Sequence, residues 1–436
     1  MSRISAFFKF EEHRTDFRRE TVGGITTFVT MAYIVIVNPM ILSKAMGQNL
    51  FPELLFATCI SAALATFIMG IGANYPFALA PGMGLNAFFV SLVAGEQVHQ
   101  DQVLGVVLAS GILFTALTLA RVREALINAV PDALKHASAA GIGLFIAFIG
   151  LKNAGMVEAN EQTLVSLGEV RSVSVGMLIL GILGIGVLLV RGAKGAILIG
   201  VMGVALISML IGQTPLPTGV FDLPTWPSNL FGKAVLELPA AFDVGLIGFV
   251  FAFLFVDLFD TMGTLVGVSE KAGFLDRSGR LPRANRALLA DSVGTMAGAV
   301  FGTSTVTTYI ESASGVSVGA RTGFASVVTG ILFLVAIFLT PVVQAVPSFA
   351  TAPALVVVGV LMMGSVTKVK WSDVSDALPA FLTMVAMPLT FSIANGIAMG
   401  FVTYPLLKRL GGRGQEVHPL VDVLAVVFIA KYLFMD

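Results

Sequence analysis

The chain has 436 residues, of which 56% are hydrophobic and 12% charged, with 26 Lys and Arg balancing 26 Asp and Glu. A soluble domain carries roughly a quarter charged residues, so this composition excludes a soluble globular protein and indicates a polytopic membrane protein. Zero net charge without a long basic run argues against nucleic acid as a partner. The single cysteine, Cys59, sits in an apolar segment as an inert thiol and excludes an intramolecular disulfide.

Residues 1–20 are charged and hold no short apolar core before a small-residue cleavage site, so no signal peptide is expected and the next apolar stretch reads as a membrane helix. Hydropathy gives seven segments near 21–43, 53–73, 77–95, 103–121, 131–151, 173–190 and 195–212. A polar, Pro-rich extracytoplasmic connector covers 213–243. Seven more segments follow near 244–268, 285–300, 303–319, 322–344, 350–367, 376–392 and 395–410, giving fourteen crossings. Residues 411–436 close the chain; their apolar part, 419–435, holds Asp422 and Lys431, which leaves open whether it crosses or lies in the interface.

The two sets share strings in the same order. Gly111-Ile112-Leu113-Phe114 leading to Ala129-Val130-Pro131 is matched by Gly330-Ile331-Leu332-Phe333 leading to Ala345-Val346-Pro347. Ala193-Lys194-Gly195 with Gly200 is echoed by Ala394-Asn395-Gly396 with Gly400. These matches point to a duplication, and because seven is odd the second copy, residues 244–410, is inverted relative to the first, residues 21–212. Charge agrees with that count. With both termini cytoplasmic, the basic clusters (Arg121, Arg123 and Lys135; Lys271, Arg277, Arg280, Arg283 and Arg286; Lys408, Arg409 and Arg413) fall inside. Of all 26 Lys and Arg, only Lys44, Lys152, Arg171 and Lys233 fall outside. The expected location is a bacterial-type cytoplasmic (inner) membrane.

The third segment of each set does not read as an ordinary membrane helix. Ala78-Leu79-Ala80-Pro81-Gly82-Met83-Gly84-Leu85-Asn86 combines Pro and Gly ahead of a helical run, and Thr303-Ser304-Thr305-Val306-Thr307-Thr308-Tyr309-Ile310-Glu311-Ser312 is rich in β-branched and hydroxyl residues. Both predict short extended strands, in segments 3 and 10 of an otherwise all-α protein. Extended backbone at membrane depth is tolerated only if the strands pair or line a cavity, and paired breaks in an inverted repeat point to a midplane binding site. In the eighth segment Asp257 and Asp260 interrupt an uncharged span at spacing i, i+3, where each carboxylate costs on the order of 3 kcal/mol. Asn86, Glu311, Asp257 and Asp260 therefore converge.

With those motifs in view, the chain resembles the nucleobase-cation symporters of the nucleobase-ascorbate transporter fold, in their AzgA-like purine permease branch. The resemblance rests on the string from Thr26 to Val35, on Pro81-Gly82-Met83-Gly84-Leu85-Asn86-Ala87-Phe88-Phe89, on Phe255-Val256-Asp257-Leu258-Phe259-Asp260-Thr261-Met262-Gly263 and on Tyr309-Ile310-Glu311-Ser312-Ala313. It implies a 7+7 inverted repeat with a core domain (segments 1–4 and 8–11) and a gate domain (segments 5–7 and 12–14), a homodimer, and import of hypoxanthine, guanine or adenine with protons. It further implies purine contacts from Asn86, Asp257 and Glu311 and from the backbone of Ile310.

The residue chemistry agrees with that implication: paired carboxylates accept from purine N–H groups, while Asn86 and backbone N–H groups serve the acceptors. Asp257, Glu311 and Asp260 are candidates to carry the coupling proton. Asp291 reads as a supporting brace to the second broken segment, and Asp260 as support to Asp257. Phe88, Phe89, Phe255 and Phe259 could stack on a purine, although packing is the simpler role in a chain with 33 Phe. His13, His99, His136 and His418 lie near segment ends, no metal-ligand spacing exists, and neither cofactor nor enzyme activity is expected. The expected activity is alternating access of an elevator type, the core carrying the site against the gate. The alternatives are an anion transporter of the same fold, which two acids at the site disfavour, and an intramembrane carboxylate enzyme, for which Glu311 would have to complete a dyad. Sodium coupling stays open.

Overall fold

The computed structural model describes residues 3–95, 98–120, 130–243, 245–276 and 281–434. Arg121, Arg123, Arg277 and Arg280 of the orienting charges, Ala129 of the repeated string and Val244 at the start of the eighth segment lie outside the described residues.

The helices run in chain order as α1 (Arg3–Phe7), α2 (Phe17–Met31), α3 (Tyr33–Met46), α4 (Phe51–Ile68), α5 (Met83–Ala94), α6 (Gln100–Leu119), α7 (Asp132–Asn153), α8 (Val173–Val190), α9 (Ala196–Leu210), α10 (Lys233–Leu236), α11 (Ile247–Ala272), α12 (Ala284–Phe301), α13 (Ser312–Ser317), α14 (Gly323–Ala336), α15 (Thr340–Gln344), α16 (Ser348–Met363), α17 (Val374–Leu389), α18 (Ile393–Leu410) and α19 (Pro419–Phe434). Among the described residues, eight helical stretches are long and apolar enough to cross a membrane: 17–46, 48–73, 100–119, 132–153, 173–190, 247–270, 323–344 and 348–368. The other expected segments coincide with helices that are shorter or less apolar. Segments 3 and 10 are each a strand followed by a short helix, and segments 7, 9, 13 and 14 are α9, α12, α17 and α18.

Strands β1 (Leu79–Pro81) and β4 (Val306–Thr308) fall in the two predicted breaks and pair antiparallel, Leu79 opposite Thr308, Ala80 opposite Thr307 and Pro81 opposite Val306. A second pair escaped the hydropathy reading: β2 (Val157–Asn160) and β3 (Leu164–Leu167) form an exposed hairpin between α7 and α8. Its turn is set by Asn160, whose Oδ1 accepts from the Gln162 and Thr163 amides at 2.9 and 3.0 Å. Among the described residues the fold therefore has four short strands where two are predicted, because a polar hairpin outside the apolar segments leaves no hydropathy signal.

The first segment also differs from expectation. It starts at Phe17, where the Asp16 carboxylate caps the helix by accepting from the Arg19 amide at 2.9 Å, and it breaks at Ala32 between α2 and α3. The pieces pack in two sets. Helices α2, α3, α4, α6, α11, α12 and α14 contact one another around β1 and β4, while α7, α8, α9, α16, α17 and α18 contact one another beside them.

Close packing in the first set depends on small residues. A Cβ built on Gly323 would fall inside the Gly70 carbonyl group, so α14 and the turn after α4 meet backbone to backbone, and the Gly323 amide donates to Asn74 Oδ1 at 2.8 Å. Gly323→Ala is expected to cost about 1–3 kcal/mol by overpacking, read as a lower unfolding midpoint in detergent. An unchanged midpoint would show that this approach is not needed.

Candidate functional site at the paired strands

The broken segments survive inside the helical set because hydroxyl groups close their backbone hydrogen bonds. Thr66 Oγ1 receives the Leu79 amide at 3.0 Å and donates to the Leu79 carbonyl at 3.1 Å. The Ala78 amide donates to Ser312 Oγ at 3.0 Å, the Tyr309 hydroxyl donates to the Pro81 carbonyl at 2.6 Å, and Ser326 Oγ serves the carbonyls of Tyr75 and Phe77. The Gly82 amide reaches across to the Thr305 carbonyl at 3.0 Å and the Tyr309 amide to the Ala78 carbonyl at 3.0 Å. Pro81, which has no N–H, stands at the end of its strand, where none is missed. Extended backbone here is satisfied by hydroxyls from neighbouring segments, while the hydroxyls of the run from Thr303 to Thr308 turn to Asn38, Asn86, Thr261, Asp260 and Asp291.

Four acids gather against this strand pair. Asp257 on α11 is buried; its Oδ2 accepts from Thr295 Oγ1 at 3.2 Å, and its Oδ1 has no partner among the described residues. The same Thr295 hydroxyl also lies 3.0 Å from the Val306 carbonyl, so one proton serves two acceptors. Asp291 on α12 is equally buried. It accepts from Thr261 Oγ1 at 2.8 Å and from Thr308 Oγ1 of β4 at 3.2 Å, leaving its Oδ2 unpartnered among the described residues. The Thr261 and Thr307 hydroxyls stand 2.8 Å apart, and Thr307 Oγ1 is 3.4 Å from Asp260 Oδ2. Glu311, just before α13, accepts from the Tyr33 hydroxyl at 2.8 Å.

Among the described residues, no Lys, Arg or His side chain forms an ion pair with any of these acids. Four carboxylates near the middle of an apolar bundle without a cation are costly as anions, and a proton or a ligand N–H relieves them.

Accessibility divides the predicted residues. Asn86 and Asp257 are at most 1% exposed, Glu311 is half-buried, and Asp260 and Ile310 are exposed, Ile310 at 56%. The open surface is thus formed by Asp260, Ile310 and Glu311, and Asp257 stands behind it. Asn86, in the first turns of α5, is not bonded to an acid. Its Oδ1 accepts from Ser304 Oγ just ahead of β4, and its Nδ2 has no partner among the described residues. Phe88 and Phe89 are wholly buried, Phe88 against Phe253 with centroids 4.4 Å apart, so both serve packing. Phe255 and Phe259 stack at 6.0 Å.

Sequence reasoning passed over Tyr33, Thr295, Thr261, Thr307 and Asn38. Asn38 is buried in α3, donates to Thr58 at 2.6 Å and Thr303 at 2.9 Å, and keeps Oδ1 unpartnered among the described residues. The available signal was position: Tyr33 and Asn38 are polar residues inside an apolar span, and Tyr33 is one of only five tyrosines.

Three comparisons with known proteins bear on this geometry. The model of the Permease family, Xan_ur_permease, matches residues 18–399. The guanine/hypoxanthine permease PbuG of Bacillus subtilis is 46% identical over 99% of this chain and 100% of its own length, and the adenine permease AdeP of Escherichia coli is 44% identical over 99% and 96%. In fold, the transmembrane domain of a cyanobacterium bicarbonate transporter, BicA, matches with TM-score 0.64 at 16% identity over 86% of this chain and 96% of its own. Murine Solute Carrier 26 family member A9, an anion transporter, matches with TM-score 0.61 at 12% identity over 91% and 69%. The structural neighbours share the fold alone, whereas the family match and the identity to full-length permeases fix descent: the chain belongs to the Permease family of nucleobase-ascorbate transporters and is an integral membrane permease, not an enzyme.

Proposed function

We propose that this permease imports purine nucleobases, hypoxanthine and guanine foremost and adenine as a further candidate, by proton symport. The observation that carries the reading is the cluster of acids beside the paired strands, with which no cation pairs among the described residues. A neutral purine offers N–H donors to Glu311 and Asp260 at the open surface, with Asp257 directly behind, and the Ile310 backbone and Asn86 serve its acceptors. Relatives at 46% and 44% identity named as guanine/hypoxanthine and adenine permeases support the substrate class. An anion carrier on this fold would need donors or cations where this site has Asp257, Asp260 and Glu311.

The coupling proton is assigned to Asp257, Asp260 or Glu311. Asp257 is the strongest of the three: it is buried, shares its one hydroxyl donor and faces no cation, so it is costly as an anion whenever no proton is bound. Fourteen segments in an inverted 7+7 arrangement, with both termini in the cytoplasm of an inner membrane, are supported by the charge distribution and by the swap-related packing of the pieces. Helix α6 lies on α12 as α14 lies on α4, and α6 on α11 as α14 on α2. On this reading the two sets of packed helices act as a core domain that bears the site and a gate domain for an elevator movement, and the transporter is a homodimer.

Proteoliposomes holding the purified protein are expected to accumulate labelled hypoxanthine when an inward proton gradient is imposed, and to stop accumulating when an ionophore collapses it. No uptake above empty liposomes for any purine would end the purine reading, and uptake that follows sodium instead would reassign the ion. Asp257→Asn, which fixes a neutral side chain, is expected to abolish gradient-driven accumulation while leaving membrane insertion intact. Tyr33→Phe, which removes one hydrogen bond to Glu311, should raise KM about tenfold or more. Wild-type transport in both variants would remove the site assignment.

A further inference from the structure

Four Lys and Arg residues stand on the outer side of the orientation proposed above, and one of them, Lys44, lines a cavity that the transport site does not use. The cavity holds about 440 Å³ between the end of α3, the start of α4 and the connection from α15 to α16, and Met40, Lys44, Gln48, Phe51, Gln344 and Ser348 line it. That volume falls within the 300–1,000 Å³ of small-molecule sites. Lys44, Gln48 and Gln344 are exposed, and among the described residues none of their side chains has a hydrogen-bond or ion-pair partner. Lys233, also on that side, is by contrast paired with Asp101 at 3.8 Å.

The position of the cavity is informative. Tyr33, Val37, Met40 and Lys44 recur at i, i+4, i+7 and i+11 and so share one face of α3. Tyr33 holds Glu311 at the inner end of that face, and Lys44 stands about 16 Å further along at 1.5 Å per residue. Between them Met40 lines the cavity, and its sulfur accepts from the Thr351 hydroxyl of α16 at 3.3 Å, a contact between the two packed sets of helices. The cavity therefore shares a helix face with the site, and the Met40–Thr351 contact across the seam lies along that face between them.

We propose that this cavity is an outer docking subsite for oxopurines, an inference that rests on the purine reading above. An ammonium donates to the adjacent O6 and N7 acceptors of a 6-oxopurine, whereas adenine offers an amino donor in place of O6. The Gln48 and Gln344 carboxamides each carry a donor and an acceptor for the remaining ring edge. Lys44 thus ranks oxopurines over adenine before the base reaches the acids, and parting of Met40 from Thr351 passes the base inward.

The test is the initial rate of labelled hypoxanthine uptake by cells of a purine-uptake-deficient bacterium expressing the chain, with adenine as competitor. Lys44→Met is expected to raise the external KM about three- to tenfold, the loss of one charge-assisted hydrogen bond, with Vmax and the adenine inhibition constant unchanged. Lys44→Arg, which keeps the charge, should hold KM near that of the unsubstituted chain. An unchanged KM in Lys44→Met, a loss confined to Vmax, or an equal weakening of adenine overturns the subsite. Absence of uptake by the unsubstituted chain removes the purine reading itself, and the inference with it.

Discussion

Extended backbone inside a hydrocarbon-like bundle must find partners for every N–H and C=O, and the rest of this structure follows from how that demand is met at β1 and β4. Three residues on each side pair, and beyond them the groups are satisfied by Thr66, Ser312, Ser326 and the Tyr309 hydroxyl. Thr66, Ser312 and Ser326 come from helices that pack around the strands, so the strands fix how α4, α13 and α14 sit. The small residues at Gly70 and Gly323 then allow α4 and α14 to close over them. Breaking the helices leaves polar groups and short helix starts deep in the fold, which is where a permease needs them.

The same economy governs the acids. Thr295, Thr261, Thr307 and Thr308 divide a few hydroxyl protons among Asp257, Asp260, Asp291 and the Val306 carbonyl, and two buried oxygens of Asp257 and Asp291 receive none among the described residues. With no cation paired to the cluster among the described residues, the deficit in donors is, on the proposed reading, a binding determinant for whatever brings N–H groups or a proton. Asp291, bonded to Thr261 and Thr308, ties α11 and β4 together through two hydroxyls.

Much of this was legible in the sequence, for reasons that differ by element. The strands at 79–81 and 306–308 could be placed because Pro, Gly and a β-branched hydroxyl run contradict a helix in an apolar span. Asp257 and Asp260 stood out because charge is expensive there. The relative exposure of the two could not be read, since a spacing of three residues places them on one face without saying which meets open space; Asp260 does, and Asp257 stands behind it. Tyr33 was hidden inside a string that reads as apolar, and its bond to Glu311 joins residues 278 apart, a contact that no local pattern encodes. The 157–167 hairpin was missed because hydropathy carries no information about polar segments outside the membrane.

The central claim is that a purine base sits at the crossing of the strands, held by the acids. A density map of the protein determined with bound hypoxanthine tests it most directly. The account predicts a planar ligand within hydrogen-bond distance of Glu311 and of Asp260 or Asp257, beside the backbone of Ile310. Ligand density confined to another part of the fold, with the strand crossing empty at saturating hypoxanthine, would contradict it.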